Sequence, residues 1–408
     1  MRKKILLTVL LSSCCLNLFA QEKLVKDTEH LLNVAKPDYA NALKTIKPAL
    51  ENDETKGNVL AWLYAGKSAV GVWDKMFRSL QLGNNVKDAD KKNAAHTLID
   101  ANSYFVTALP LDSLPDSKGK IKPRHSKDIH KILAKNYKSY RNAGIFLYGL
   151  KDYEGAFDAW EIYIGMPARL NVKQKLVKAD GESELGQILY YQAICAFQTG
   201  KNLKAVEKFL AAQECGYSSK DLYRFGMEAA RREANDSLML DFARNGHKLY
   251  GKKDVTFTLP IINALLTTDS IALCRQLAED ALKVDAEDGI KSQLYDVIGV
   301  TCEKSGDIEG AITNFQKSVV FDPNFAKGYF DLARVIYNEA LRMAEEGSDA
   351  DEQKAIPGFQ KAADYFEKAY ELNNRLSQIP ATLYSLYYRL GVGYEDKASY
   401  WQRKAKSL

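Results

Sequence analysis

The chain is 408 residues long, with 46% apolar and 27% charged residues, which is typical of a folded globular protein. Its formal net charge is +5, but three of the 57 basic residues lie at positions 2–4, which leaves 54 basic against 52 acidic residues. This near balance excludes a basic surface along the whole chain. Composition therefore offers no argument for nucleic acid or a strongly anionic membrane as the partner.

The first twenty residues have the pattern of an export signal. Basic residues at 2–4 precede an apolar run at 5–11, and we predict cleavage after Ala20. The end of this segment resembles export signals of Bacteroidetes-type bacteria. An alternative stays open, because Leu11–Cys14 resembles a lipoprotein box that would place a lipid on Cys14. No later run approaches the ~20 apolar residues that span a bilayer.

Helices dominate the predicted elements after the signal. We predict a short helix over 22–36 and a second helix that begins near Tyr39. The next helix pair is interrupted by an insertion at 71–96. In it the first helix continues to about Leu80, and 84–92 forms a solvated loop.

Residues 111–127 form the clearest linker, because they combine two prolines and a glycine with five basic residues. We interpret the linker as a solvated loop, with an anionic contact site as the alternative. A long helix is predicted over 128–148. We therefore divide the chain into a signal at 1–20, an N-terminal region of degenerate helices with an insertion and a basic linker at 21–136, and a repeat array at 137–408.

Within the array, small and aromatic residues recur with one phase. The convincing units span 137–170, 186–219, 292–325 and 326–374. Residues 220–253 form a degenerate unit. A second insertion, at 338–358, carries an acidic run, and a short polar helix around Trp401 closes the chain as a cap facing solvent.

The clearest unit, Ser292–Phe325, contains two short predicted helices. Gly306 and Asp307 break the first helix, and Pro323 ends the second. Gly299 and Ala311 are small residues at positions where the two antiparallel helices would touch closely.

This 34-residue unit resembles a tetratricopeptide repeat (TPR). The resemblance covers most of the mature chain and implies an all-α, right-handed superhelical solenoid of antiparallel helix pairs. We expect roughly eight repeat units with insertions, because one helix pair cannot bury its own apolar face. The interruptions at 71–96, 111–136, 220–254 and 338–358 distinguish the chain from a regular array.

No constellation of catalytic residues is visible. The histidines are scattered, and neither a phosphate-binding glycine loop nor a Gly-x-Ser-x-Gly elbow is present. We therefore expect no enzyme activity, no cofactor and no metal site. Four cysteines follow the predicted signal without a Cys-x-x-Cys pair, namely Cys195, Cys215, Cys274 and Cys302. We predict that Cys195, Cys274 and Cys302, which each fall on an apolar helical face, are small buried apolar residues, and a disulfide stays open.

The resemblance implies that the first helices of the pairs line a concave binding face. The predicted partner-binding residues on these helices are Tyr64, Lys67, Arg141, Asn142, Tyr191, Arg334, Tyr337, Asn338, Tyr388 and Arg389. Aromatic rings, arginines and amides of this kind hold peptides by stacking and by hydrogen bonds. The TPR-type carboxylate clamp is not expected, because Asp331 stands where that clamp needs an arginine.

The predicted function is a non-catalytic scaffold in the bacterial cell envelope that binds a protein or peptide partner. It would be exported to the periplasm or the outer membrane, with no transmembrane segment after signal cleavage. The alternative is a surface protein anchored through a lipid on Cys14 that helps to bind a glycan or peptide nutrient.

Overall fold

The computed structural model describes residues 22–116, 118–171, 176–178, 180–268, 270–284, 286–345 and 349–407. The predicted export signal and Cys14 lie outside these residues. The chain divides into two compact units, Met1–Glu233 and Ala234–Leu408, each with its own apolar core. The described residues form nineteen helices and no strand, which confirms the predicted all-α class.

The first unit is a succession of helices joined mostly by short loops. Its helices are α1 (22–32), α2 (Tyr39–Glu51), α3 (Val59–Gln81), α4 (Asp88–Asp112), α5 (Ser126–Lys135), α6 (Tyr137–Gly149), α7 (Tyr153–Asn171), α8 (Glu182–Gln198), α9 (Asn202–Glu214) and α10 (Lys220–Arg232). From α2 onward each helix contacts the next, and α4 also contacts α6 while α8 contacts α10. Contacts to the next and next-but-one helix are the pattern of stacked helix hairpins.

The second unit follows the same plan. Its helices are α11 (Asp236–Tyr250), α12 (Thr258–Thr267), α13 (Ile271–Leu282), α14 (Asp288–Lys304), α15 (Ile308–Phe321), α16 (Ala326–Ala344), α17 (Asp349–Leu372), α18 (Ile379–Leu390) and α19 (Glu395–Lys406). Each helix contacts the next, and α14 also contacts α16. The predicted degenerate unit at 220–253 contains α10 and α11, which belong to different compact units.

The turn predicted at Gly306 and Asp307 separates α14 from α15. Gly306 has a φ of 81°, which a residue with a Cβ adopts only at a cost. The Asp307 carboxylate then accepts a hydrogen bond of 2.9 Å from the backbone N–H of Gly310 and caps α15. This predicted break is confirmed.

Glycines in the first helices of hairpins make room for aromatic rings of the second helices. A Cβ built on the glycine would lie 2.3–2.6 Å from a ring atom, closer than real side chains approach. These pairs are Gly66 with Phe105, Gly144 with Trp160, and Gly299 with Phe315. At these glycine positions the backbone of the first helix therefore contacts an aromatic ring of the second helix.

The two insertions lengthen helices. In the first unit α3 and α4 extend through 71–96, apart from a connection at 82–87. The solvated loop predicted at 84–92 is wrong from Asp88 onward, because Asp88 and Asp90 in the first turn stabilise the start of α4. In the second unit α16 runs through 338–344, and a Cβ on Gly358 of α17 would lie 2.9 Å from the Ala340 Cβ.

The long helix predicted over 128–148 is interrupted at Asn136. The Asn136 side chain is buried and donates from Nδ2 to the Ile132 carbonyl at 2.9 Å. Asparagine favours such local bonds over a continuous helix, so the chain restarts as α6 at Tyr137. The domain boundary predicted between 136 and 137 falls at this break, inside the first compact unit.

Candidate functional site

The first helices of two successive hairpins, α14 and α16, are joined by a charged network. Lys327 at the start of α16 donates to Asp296 of α14 and, with Nζ to Oδ2 at 2.7 Å, to Asp331. Two turns further along, Arg334 donates to Glu303 with Nη2 to Oε2 at 2.7 Å. The predicted binding residue Arg334 therefore holds α16 against α14.

Burial governs the electrostatics of this network. Asp296 is 3% exposed, and its Oδ1 has no hydrogen-bond partner among the described residues. Burial penalises the charged form and raises the pKa of Asp296 to about 6, although Lys327 opposes this shift. Burial would lower the pKa of Lys327, but the carboxylates of Asp296 and Asp331 outweigh it and raise that pKa.

The predicted residues of α16 and α18 meet around Phe359 of α17. The Tyr337 ring lies 5.8 Å from the Phe359 ring, measured between centroids. Arg389 of α18 lies over the same ring, with 4.9 Å between Cζ and the centroid. Asn338 is exposed beside Tyr337 on α16. The structure therefore brings Tyr337 and Arg389 to one place.

Tyr388 of α18 has 73% of its surface exposed. It borders a groove of about 480 Å³ between α18 and α19, whose apolar walls include Tyr384 and Val392. Glu395 and Gln402 add polar groups at the same groove. Sequence reasoning missed this groove; the signal was Val392 between two glycines, since it is 95% exposed in the structure.

In the first unit, Tyr64 and Lys67 lie on α3. Tyr64 is buried and donates from its hydroxyl to Glu29 Oε1 at 2.7 Å. Burial raises the pKa of the Tyr64 hydroxyl, and the hydrogen bond to Glu29 adds to this shift. The Lys67 ammonium lies 5.8 Å from the Tyr64 ring centroid. Tyr64 thus contributes mainly to the contact between α1 and α3.

Arg141 and Asn142 are half-buried on α6, and the Arg141 carbonyl accepts a hydrogen bond from Trp160 Nε1 at 3.2 Å. Tyr191 of α8 lies edge-on to Tyr148, with 5.3 Å between ring centroids. Tyr191 belongs, with Tyr148 and Trp160, to an aromatic cluster that joins α6, α7 and α8, and the Arg141 carbonyl contacts the same cluster. That Arg141, Asn142 and Tyr191 bind a partner stays a prediction.

The arrangement offers surfaces for recognition. Among the described residues, no group of three histidine, cysteine or acidic side chains is placed to hold a metal ion. Cys195, Cys274 and Cys302 are free and buried, as predicted for small apolar residues, and Cys215 is free and half-buried. Within the described part of the chain, no helix is long and apolar enough to cross a membrane.

Neither a family model nor a curated protein matches the chain. Solved TPR structures match it at low similarity. A TPR repeats protein of Bacteroides fragilis is 17% identical and covers 61% of this chain and 97% of its own, with a TM-score of 0.29. The pilF protein of Pseudomonas aeruginosa is 16% identical and covers 56% of this chain and 94% of its own, with a TM-score of 0.41.

The C-terminal part of a TPR repeat-containing protein of Cytophaga hutchinsonii is 14% identical, covers 62% of this chain and 93% of its own, and has a TM-score of 0.36. The fold assignment rests on the helix contacts within each unit, which form an all-α stack of helix hairpins of the solenoid type.

Proposed function

We propose that the protein is a non-catalytic scaffold that binds a peptide segment of a partner protein on the first helices of its second unit. The observation that carries the proposal is the exposed Tyr388 beside the groove between α18 and α19. Tyrosine is enriched among residues that dominate binding energy, because its rigid ring buries apolar area while its hydroxyl forms a hydrogen bond.

The neighbouring residues support this assignment. Arg389 is held over Phe359 and lies 3.8 Å from Glu352, so its guanidinium has a defined position. Asn338 is exposed and presents an amide that can bond to a peptide backbone. Arg334 has a different role, because its guanidinium is already occupied by Glu303. The exposed residues of the predicted face in the second unit are Asn338, Tyr388 and Arg389.

The proposal is tested at Tyr388. A photo-reactive residue at position 388 identifies the partner, and the affinity of the purified partner is then measured for Tyr388→Ala. We expect the affinity to fall at least tenfold, because truncating a central aromatic anchor costs about 2 kcal/mol or more. Tyr400→Ala on α19 is the matched control, since Tyr400 is also an exposed tyrosine, at 46%. Equal affinities for wild type and Tyr388→Ala would refute this site.

The compartment is part of the same proposal. What supports export is the basic and apolar pattern of the first twenty residues. We propose a periplasmic or outer-membrane location after cleavage at Ala20. Intact-mass analysis of protein purified from its native envelope should give the mass of Gln21–Leu408. A mass that retains Cys14 with a lipid would replace this proposal by the lipoprotein alternative.

A further inference from the structure

The linker between α4 and α5 is an exposed loop with a defined conformation. We call residues 113–116 and 118–125 the basic loop. Every described residue from 113 to 124 is exposed, and a β-bridge between Pro115 and Ile121 closes the loop on itself. Two aliphatic side chains point away from any core, since Leu114 is 61% exposed and Ile121 is 62% exposed.

Asp112 anchors the base of the basic loop. Its buried carboxylate accepts hydrogen bonds from the backbone N–H groups of Arg124, His125 and Ser126 at 3.1, 2.9 and 2.7 Å, and from the Ser126 hydroxyl at 2.6 Å. Burial alone would raise the pKa of Asp112, but these bonds outweigh it and hold that pKa at about 2. The anchor is therefore charged at neutral pH.

The backbone polar groups at the turn of the loop also have hydrogen-bond partners within the loop. Asp116 accepts hydrogen bonds of 2.9 Å from the N–H groups of Lys118 and Lys120, and its own N–H donates to the Lys120 carbonyl. Because these backbone groups already have partners, apolar side chains of the loop can leave water without stranding them. The negative charge of Asp116 is directed into the loop backbone.

The basic side chains around the two aliphatic residues have no such partners. Among the described residues, no carboxylate forms an ion pair with any of them, although ion pairs are frequent on the helices of both units. These side chains are Lys118, Lys120, Lys122, Arg124 and Lys127. A surface with an anionic outer layer and an apolar layer beneath it would bind both kinds of group, the unpaired cations in the outer layer and the aliphatic side chains below.

We propose that the basic loop docks the protein on an anionic phospholipid bilayer, with Leu114 and Ile121 entering the interface and the cations meeting lipid phosphates. Membrane-surface segments combine these two kinds of contact. A membrane fits better than a folded acidic protein, because every described residue from 113 to 124 is exposed and two exposed aliphatic side chains lie among the cations. The aliphatic pair is likewise suited to acyl chains.

The balanced charge of the whole chain does not oppose this docking. Charges interact with a surface within about 8 Å at physiological ionic strength, so the local excess of the loop decides the contact. The proposal is independent of the partner-binding face on α16 and α18. Its failure would leave the proposed scaffold function unchanged.

The test is sedimentation with vesicles, using purified protein whose intact mass shows no lipid. Vesicles of phosphatidylcholine with about 30% phosphatidylglycerol are compared with vesicles of phosphatidylcholine alone. We expect binding to the anionic vesicles only, and weaker binding as salt is raised. The double variant Lys118→Glu/Lys120→Glu should bind more than about tenfold more weakly, and Ile121→Ser should also lose binding.

Matched controls separate the loop from general charge. Lys404→Glu/Lys406→Glu reverses two exposed lysines with the same spacing on α19, and Leu82→Ser removes an aliphatic side chain that is 74% exposed. Both controls should bind anionic vesicles like the wild type. The proposal is overturned if wild type does not sediment with anionic vesicles, or if the controls lose as much binding as the loop variants. It is equally overturned if the loop variants lose only an acidic protein partner.

Discussion

Replacing Lys327 by methionine is expected to lower the free energy of unfolding by about 2–3 kcal/mol at neutral pH. Methionine keeps most of the aliphatic stem but removes the ammonium that Asp296 and Asp331 share. Asp296 is 3% exposed, so its carboxylate would be left buried without a counter-charge. We place the value below the usual loss for a fully buried pair, because the Lys327 side chain is itself 58% exposed and water screens it.

The loss should depend on pH in a definite direction. The folded-state pKa of Asp296, about 6, lies above the ordinary value of about 3.9 for an unfolded aspartate. The folded protein therefore holds an extra proton between these values, and the stability that this proton contributes is lost as pH rises through about 4 to 6. Without Lys327 the pKa of Asp296 rises further. The difference between wild type and Lys327→Met should thus be small at pH 4 and largest above pH 7.

Urea unfolding at pH 4 and pH 8 measures this difference. The double variant Asp296→Asn/Lys327→Met should recover most of the loss, since it removes the buried charge together with its partner. Lys291→Met is the surface control, because Lys291 pairs with the exposed Asp288 at 3.3 Å and should change stability by less than about 0.5 kcal/mol. If Lys327→Met lowered the free energy of unfolding equally at pH 4 and pH 8, the buried charge of Asp296 would not be the cause of the loss.

Replacing Gly299 by leucine is expected to lower the free energy of unfolding by about 1–3 kcal/mol. A Cβ at this position would lie 2.6 Å from the Phe315 ring, and Phe315 is fully buried. Because it is fully buried, the Phe315 ring can move away from this Cβ only if α15 moves away from α14. Thermal or urea unfolding monitored by circular dichroism at 222 nm measures the change.

Gly289→Leu provides a control in the same helix. Gly289 lies in the first turn of α14 and has no atom within 4 Å of its built Cβ, so the substitution adds side chain without a clash. We expect it to leave stability unchanged or to raise it slightly, because leucine favours helix over glycine. If Gly299→Leu were as stable as Gly289→Leu, the contact between Gly299 and Phe315 would not limit the spacing of α14 and α15.

The recurrence of small and aromatic residues predicted the helix hairpins well. Both partners of the contact are visible in sequence, since Gly299 and Phe315 stand at fixed positions of the 34-residue phase. Sequence placed Gly299 near Ala311, whereas the three atoms nearest to its built Cβ all belong to Phe315. The spacing shows which residues face the neighbouring helix. The crossing of the two helices decides which side chains touch.

The sequence predicted which helices carry the candidate binding face, but not which of its side chains are already bonded to other helices. Spacing placed Arg334, Tyr337 and Tyr388 on first helices, which is where the structure has them. It could not show that Arg334 is bonded to Glu303, because Glu303 lies 31 residues earlier on another helix. The exposure of Tyr388 likewise depends on how α17 and α19 pack against α18, which spacing along the chain does not show.

Sequence by itself determined the all-α class, the turn at Gly306 and the apolar faces, because these depend on local conformational preference and on helical periodicity. Tertiary structure decided the division after Glu233, the pairing of Asp296 with Lys327 and the bond between Arg334 and Glu303. The free energies of these features come from burial and from charges brought together across helices. Such contacts join residues far apart in the chain, so no local pattern contains them.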